Sequence, residues 1–221
     1  MKILDEFETD RSFFYENGYY LTSKYDRMGK FLAHYELYKR IVDLPGSIVE
    51  CGVFKGNSLV RFATFRELLE NTYSRKIIGF DIFGKFPDTD FEGDKKFLTK
   101  FISAAGDQSI SVDELTKVFE YKGFKNIELV KGDINKTVPD YVQDQAQLKI
   151  SLLHIDTDVY EPAVTILNSF YDRVVRGGLI VLDDYGTFPG ETQAVDEFIA
   201  DKKLEIRKLP FYQVPSYIIK P

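Results

Sequence analysis

Two stretches decide the fold: Ile150-Ser151-Leu152-Leu153-His154-Ile155-Asp156-Thr157-Asp158 and, one helix length later, Gly178-Leu179-Ile180-Val181-Leu182-Asp183-Asp184-Tyr185. Each is a short apolar run, which predicts strands over Ile150 to Asp156 and Gly178 to Asp183, buried on both faces. Between them Pro162 suits a first helical turn, and Val164, Ile166, Leu167 and Phe170 follow as the apolar residues of a helix that Gly177-Gly178 should end. Both runs finish in paired aspartates. Four carboxylates at neighbouring strand ends raise one another's pKa unless a cation holds them together, so the pattern predicts a divalent metal site. Oxygen ligands favour Mg²⁺ over Ca²⁺ or Mn²⁺, and one cysteine with two histidines leaves little for zinc.

Working outward, further strands are expected at Ser47 to Cys51, Lys76 to Asp81 and Ile127 to Lys131, separated by helical or turn-rich segments. Five such strands predict an α/β fold with a parallel sheet covered by helices on both faces. Ser111-x-x-Glu114 is a capping box ahead of Leu115, Val118 and Phe119. Phe31, Leu32, Tyr35, Tyr38 and Ile41 fall on one helical face that Pro45-Gly46 stops. After Asp184 a helix around Ala194 to Ala200 precedes runs at Leu204 to Leu209 and Ser216 to Ile219, close enough to form a C-terminal antiparallel hairpin.

The 221 residues, 44% hydrophobic, suit a single domain over 1–221, with an aromatic and helical N-terminal segment (1–45) and a polar, lid-like insertion (83–108). That insertion should lie over the strand ends, where open α/β sheets bind ligands. A net charge of -6 argues against nucleic acid as a partner. The single Cys51, expected to be buried and inert, excludes an internal disulfide; with no basic, apolar leader at the start, a cytoplasmic home is expected, and no run approaches a membrane span. The N-terminal aromatics Phe13, Phe14, Tyr15, Tyr19, Tyr20 and Tyr25 are expected mainly as core; the alternatives are a flap over a pocket and a homo-oligomer face.

Glu50-Cys51-Gly52-Val53-Phe54-Lys55-Gly56-Asn57-Ser58 combines a strand end, a glycine turn and a helix start. The spacing lacks the dinucleotide fingerprint, and Glu50 would repel a pyrophosphate. An acidic turn suits S-adenosylmethionine, which carries an ammonium and a sulfonium. Asp81, closing the second strand, is placed to accept ribose hydroxyls, and Asp133, closing the third, to receive an adenine amino group; each would serve equally as a helix N-cap. His154 is expected as a satisfied core histidine, and Lys95-Lys96 and Lys202-Lys203 as solvated surface.

These residues resemble a family. Glu50-x-Gly52-x-x-x-Gly56-x-Ser58 resembles the cofactor turn of catechol-type O-methyltransferases. More of the chain resembles the macrocin-type sugar O-methyltransferases: Val49-Glu50-Cys51-Gly52-Val53, Asp81-x-Phe83-x-x-Phe86-Pro87, Asp156-x-Asp158-x-Tyr160, Asp183-Asp184-Tyr185-Gly186, Pro189-Gly190 and Ala194-Val195-Asp196-x-Phe198. The resemblance implies a class I methyltransferase (Rossmann-like) fold, S-adenosylmethionine as donor, and Mg²⁺ on Asp156, Asp183 and Asp184. It also implies an aspartate base, Asp156 first and Asp158 second, because the catechol enzymes' lysine position is Val159 here. Cofactor contacts fall to Glu50, Gly52, Gly56, Ser58, Asp81 and Asp133. The expected acceptor is a hydroxyl of a sugar, nucleotide-linked sugar or sugar-containing small molecule, with the insertion and Thr187 to Glu191 as candidate pocket walls.

Three alternatives stand beside this reading. Asp156-Thr157-Asp158 is also the Asp-x-Asp arrangement of metal-dependent glycosyltransferases, which leaves Glu50 and Asp183-Asp184 unexplained. A catechol or phenol acceptor is the second, and a non-catalytic cofactor-binding module the third.

Overall fold

The computed structural model describes residues 2–4 and 7–221. Met1, Asp5 and Glu6, part of the N-terminal segment of the sequence reading, lie outside the described residues. The chain opens with a two-stranded antiparallel ribbon, β1 (Lys2–Leu4) and β2 (Phe7–Glu8), and two helices, α1 (Ser12–Thr22) and α2 (Tyr25–Lys39). Strands and helices then alternate through β3 (Ser47–Cys51), α3 (Asn57–Leu69), β4 (Ile77–Asp81), α4 (Glu92–Ala105), α5 (Val112–Lys122), β5 (Ile127–Lys131), α6 (Ile134–Asp144), β6 (Ile150–Ile155), α7 (Tyr160–Phe170) and β7 (Val174–Leu182). Helix α8 (Pro189–Ile199) leads into the hairpin β8 (Ile206–Leu209) and β9 (Tyr212–Ile219).

The main sheet runs β5-β4-β3-β6-β7-β9-β8, its first five strands parallel and β9 antiparallel to both neighbours. This is the class I methyltransferase arrangement expected above. Side-chain alternation divides the core between its faces. Ile48, Ile77, Leu152, Leu179 and Val181 pack with residues of α2, α3 and α5 such as Leu37, Phe62 and Leu115. Val49, Ile78, Leu153, Ile155, Ile180 and Leu182 pack with residues of α6, α7 and α8 such as Val138, Ile166 and Val195.

The chain reverses direction between β3 and β6, so the turns after β3, β4, β6 and β7 converge on one rim, where such sheets hold ligands. Hydrogen bonds continue the ladder past the strands: Asp156 N–H donates to Cys51 O and Asp183 N–H to Ile155 O, both at 2.9 Å. The glycine turn and both aspartate pairs thereby stand side by side.

Three local expectations fail for identifiable reasons. Gly177-Gly178 does not end α7. That helix stops at Phe170 and a short 3-10 turn follows; the glycines then lie inside β7, where the register against β6 shifts and Gly177 takes φ +79°. The bulge needs a residue free to adopt positive φ. The insertion contains a 14-residue helix, α4, that its polar composition concealed. The N-terminal aromatics are not core: Phe13, Phe14, Tyr19, Tyr20 and Tyr25 are exposed, and α1 buries none of its residues. Cys51 is buried, and both lysine doublets are exposed, as expected.

Candidate active site

One cavity of about 1200 Å³ occupies the rim. Gly52, Ser58, Asp81 and Asp133 line it on the side of the glycine turn, and Asp156, Asp158, Asp183 and Asp184 on the other. That volume exceeds a typical small-ligand pocket and suits two bound molecules.

The glycine turn is held from beneath. Asp81 Oδ2 accepts hydrogen bonds from the N–H groups of Val53 and Phe54 at 2.9 Å, and its Oδ1 from Phe83 N–H at 2.6 Å. Its carboxylate therefore clamps the loop before it meets any ribose. Asp133 caps α6, accepting from Asn135 N–H at 3.0 Å, with its side chain partly exposed to the cavity. Glu50 is fully buried behind Ser58, whose hydroxyl donates to it, so it would act on an ammonium group from behind that serine. Gly56 takes φ +79° and packs beside Leu115.

The acids form two groups. Asp156, Asp158 and Asp184 bring carboxylate oxygens within 4.8 Å of one another. Burial, then the charge of Asp183, pushes Asp156 up to about 6; burial, then Asp156, pushes Asp158 up to about 7. Asp184 and Glu191 are driven well above the carboxylate range, chiefly by burial. Glu191 Oε1 accepts from Asp184 N–H at 3.0 Å, whereas Glu191 Oε2 and Asp184 Oδ2 are buried without a hydrogen-bond partner. Crowded, partly orphaned carboxylate oxygens are the donor set of a hard divalent cation, so these residues fit Mg²⁺.

Asp183 has a different environment. Lys30 of α2 donates to its Oδ2 and lies 3.9 Å from Asp156 Oδ2. Its Oδ1 faces His154 Nε2 at 3.3 Å and His34 Nε2 at 3.6 Å. Burial opposes its charge, yet Lys30 and the imidazoles hold Asp183 well below the carboxylate range. His154 also faces Glu50, 3.6 Å from Nδ1; burial disfavours its protonation, but the two acids push it up to about 10. Arg61 Nη1 stands 3.0 Å from His34 Nδ1. Because a guanidinium only donates, His34 carries its proton on Nε2, aimed at Asp183, and that nitrogen has no lone pair for a metal. The histidines thus orient Asp183. His154 is buried as expected, but it joins the cofactor-side acid to the acid-pair rim and does more than fill core.

Sequence reasoning missed Lys30, His34 and Arg61, and named Glu191 only as the end of a candidate pocket wall. The signal for the first two was their i, i+4 spacing on the face that also carries Tyr38 and Ile41; the reading favoured Phe31 and Leu32, which prove exposed.

The insertion is strapped across the rim. Glu161 accepts from the N–H groups of Asp90 at 3.1 Å and Phe91 at 2.9 Å, and from the Thr89 hydroxyl at 3.0 Å. Buried Asp94 on α4 accepts from Gly190 N–H at 2.7 Å and Tyr160 N–H at 3.0 Å. Phe86, Phe101 and Phe188 complete an apolar wall. Phe54, Phe83 and Asp158 adopt positive φ (47°, 47° and 63°), a strain that gathers at functional rims.

Known proteins share the fold and much of the sequence span. The chain is 25% identical over 181 residues to demethyldecarbamoylnovobiocin O-methyltransferase of Streptomyces niveus, covering 74% of this chain and 64% of that enzyme. It therefore spans under two-thirds of that relative's length. Against mycinamicin III 3''-O-methyltransferase of Micromonospora griseorubida the identity is 25% over 179 residues, covering 76% of this chain and 68% of the enzyme. Among solved structures, the calicheamicin methyltransferase CalS11 superposes with a TM-score of 0.77 at 26% identity, covering 96% of this chain and 85% of that one. The family model for macrocin O-methyltransferase (TylF) matches residues 24–211, and the chain belongs to that family.

Proposed function

We propose that this protein transfers a methyl group from S-adenosylmethionine to a hydroxyl of a sugar or sugar-bearing small molecule, with Mg²⁺ at the acid rim. The observation that carries this reading is the single cavity joining the glycine turn to the paired aspartates. The relatives named above support it, as does the apo CalS11 structure, described as a TDP-rhamnose 3'-O-methyltransferase and 29% identical to this chain.

Gly52, Gly56, Ser58, Asp81 and Asp133, with Glu50 behind them, would hold the cofactor, and Asp156, Asp183 and Asp184 the cation. When bound, the cofactor supplies an electrophilic methyl and the cation lowers the pKa of a coordinated hydroxyl. Every other contribution belongs to the chain. Asp156, or Asp158 beside it, takes the proton of the acceptor hydroxyl. The clamp of Asp81 on the turn and the strap of Asp94 and Glu161 fix the two substrates against each other, and orientation of this kind is worth several kcal/mol. Phe86, Phe101 and Phe188 exclude water from the acceptor side.

The test is transfer of labelled methyl from S-adenosylmethionine to a panel of nucleotide-linked sugars and catechols, with and without EDTA. Chelator-sensitive labelling of a sugar is expected. Labelling that survives EDTA removes the cation from the reaction, and labelling of catechols alone moves the acceptor to the phenols.

A further inference from the structure

Lys30 lies between Asp183 and Asp156, two of the three acids proposed above to hold the cation. Its ammonium contacts Asp183 Oδ2 and lies 3.9 Å from Asp156 Oδ2, and it lines the cavity. It comes from α2, whereas Asp156, Asp158, Asp183 and Asp184 come from the loops after β6 and β7. The α2 backbone on either side of Lys30 is packed: His34 is fully buried against Asp183 and Phe62, and Gly29 lies so close to the Tyr212 ring that a β-carbon would lie 2.9 Å from it. The long side chain of Lys30, 28% exposed, is the part free to move.

We propose that Lys30 is an internal placeholder for the divalent cation: it neutralises Asp183 while the rim is cation-free, and is expelled into the cavity when the cation binds. The inference rests on the cation assignment above. Asp156, Asp158 and Asp184 bring carboxylate oxygens within 4.8 Å of one another, with Asp183 and Glu191 beside them, and such crowding of acids calls for protons or a positive charge among them. A lysine supplies one charge, but its single ammonium reaches only Asp183 and the edge of Asp156, which leaves Asp184 Oδ2 and Glu191 Oε2 without partners. A dication meets that demand better. It cannot share Asp183 Oδ2 with an ammonium, because two positive centres on one oxygen repel strongly in a buried site. Expulsion of Lys30 therefore converts Asp183 from an ion-pair partner into a metal ligand, and it lowers the apparent cation affinity by the strength of the displaced pair. His34 and His154 keep hold of the other oxygen, so the carboxylate need not turn to make the exchange.

The experiment measures Mn²⁺ binding by electron paramagnetic resonance and calorimetry in the wild type, Lys30→Met and Lys30→Arg. Lys30→Met, which keeps length without charge, is expected to bind Mn²⁺ at least about tenfold more tightly, and Lys30→Arg to stay near the wild type. A second readout does not depend on the variants folding. Reductive methylation of wild-type lysines, read by mass spectrometry, should modify Lys30 slowly in EDTA and several-fold faster with Mn²⁺. Equal Mn²⁺ affinity in the wild type and Lys30→Met, or Lys30 labelling unmoved by Mn²⁺, overturns the placeholder and leaves the proposed reaction standing. Absence of Mn²⁺ binding in every protein overturns both.

Discussion

At Gly52, φ is +91° and an added β-carbon would lie 1.8 Å from the carbonyl oxygen of Asp156. No rotamer relieves that overlap, because both atoms belong to backbone. Gly52→Ala should therefore push the cofactor turn away from the acid loop, costing about 3 kcal/mol or more of stability and abolishing S-adenosylhomocysteine binding. Gly56→Ala carries positive-φ strain as well (φ +79°), but its β-carbon would meet the end of the Leu115 side chain at 2.9 Å and no backbone, so it should retain measurable binding. Thermal denaturation and calorimetry on the two variants separate these outcomes; equal behaviour would show that the close approach at Gly52 is not what holds the rim. Both glycines could be picked out from sequence, but the reason at Gly52 could not, since its partner lies over a hundred positions away. Asp81 was found for a similar partial reason: its place at a strand end was visible, its three backbone donors were not.

At the scale of elements, the inner strands were legible because buried β-structure shows as continuous apolar runs, and all five parallel strands, the half-buried edge strand β5 included, fall within a few residues of their expected bounds. Helix α5 was legible through its cap. The Ser111 side chain accepts from Glu114 N–H, and the Glu114 carboxylate accepts from Ser111 N–H at 3.0 Å. These contacts, first that from the Ser111 hydroxyl, hold Glu114 below its usual value. A lowered carboxyl pKa stabilises the fold above about 4.5 and ceases to do so as the pH falls through the folded value. Glu114→Gln should thus lose a few tenths of a kcal/mol at pH 7 and progressively less as the pH falls through the folded value, a trend that denaturant melts over an acid pH series would register. Helix α4 was hidden because it buries only Asp94 and Leu98 and is fastened by a charge. Asp94→Asn keeps one acceptor and loses the other, stranding the N–H of Gly190 or Tyr160 at about 1–3 kcal/mol. Faster hydrogen exchange across 92–105, with β6 and β7 unchanged, is the expected result. Uniform loosening of the whole chain would mean that α4 is part of the core and not a fastened lid.

Across the whole molecule, the core and the rim pull in opposite directions. Two apolar layers seal the sheet, while its ligand edge concentrates five carboxylates against Lys30 and His154 in a chain whose net charge is already -6. A cation filling this rim, as proposed, would relieve the repulsion among those acids and link ligand binding to stability. At a hundredfold excess over its dissociation constant a ligand confined to the native state adds about 2.7 kcal/mol. For a chain of this size that corresponds to a Tm rise of roughly 5–10 °C. MgCl₂ should produce such a rise, EDTA should reverse it, and S-adenosylhomocysteine should add its own increment because it occupies the other side of the cavity. NaCl at matched ionic strength separates site binding from general screening, which acts on exposed charges and leaves buried ones largely untouched. If NaCl reproduced the whole effect, the carboxylates would be relieved by diffuse ions, and the rim would not be a cation site at all.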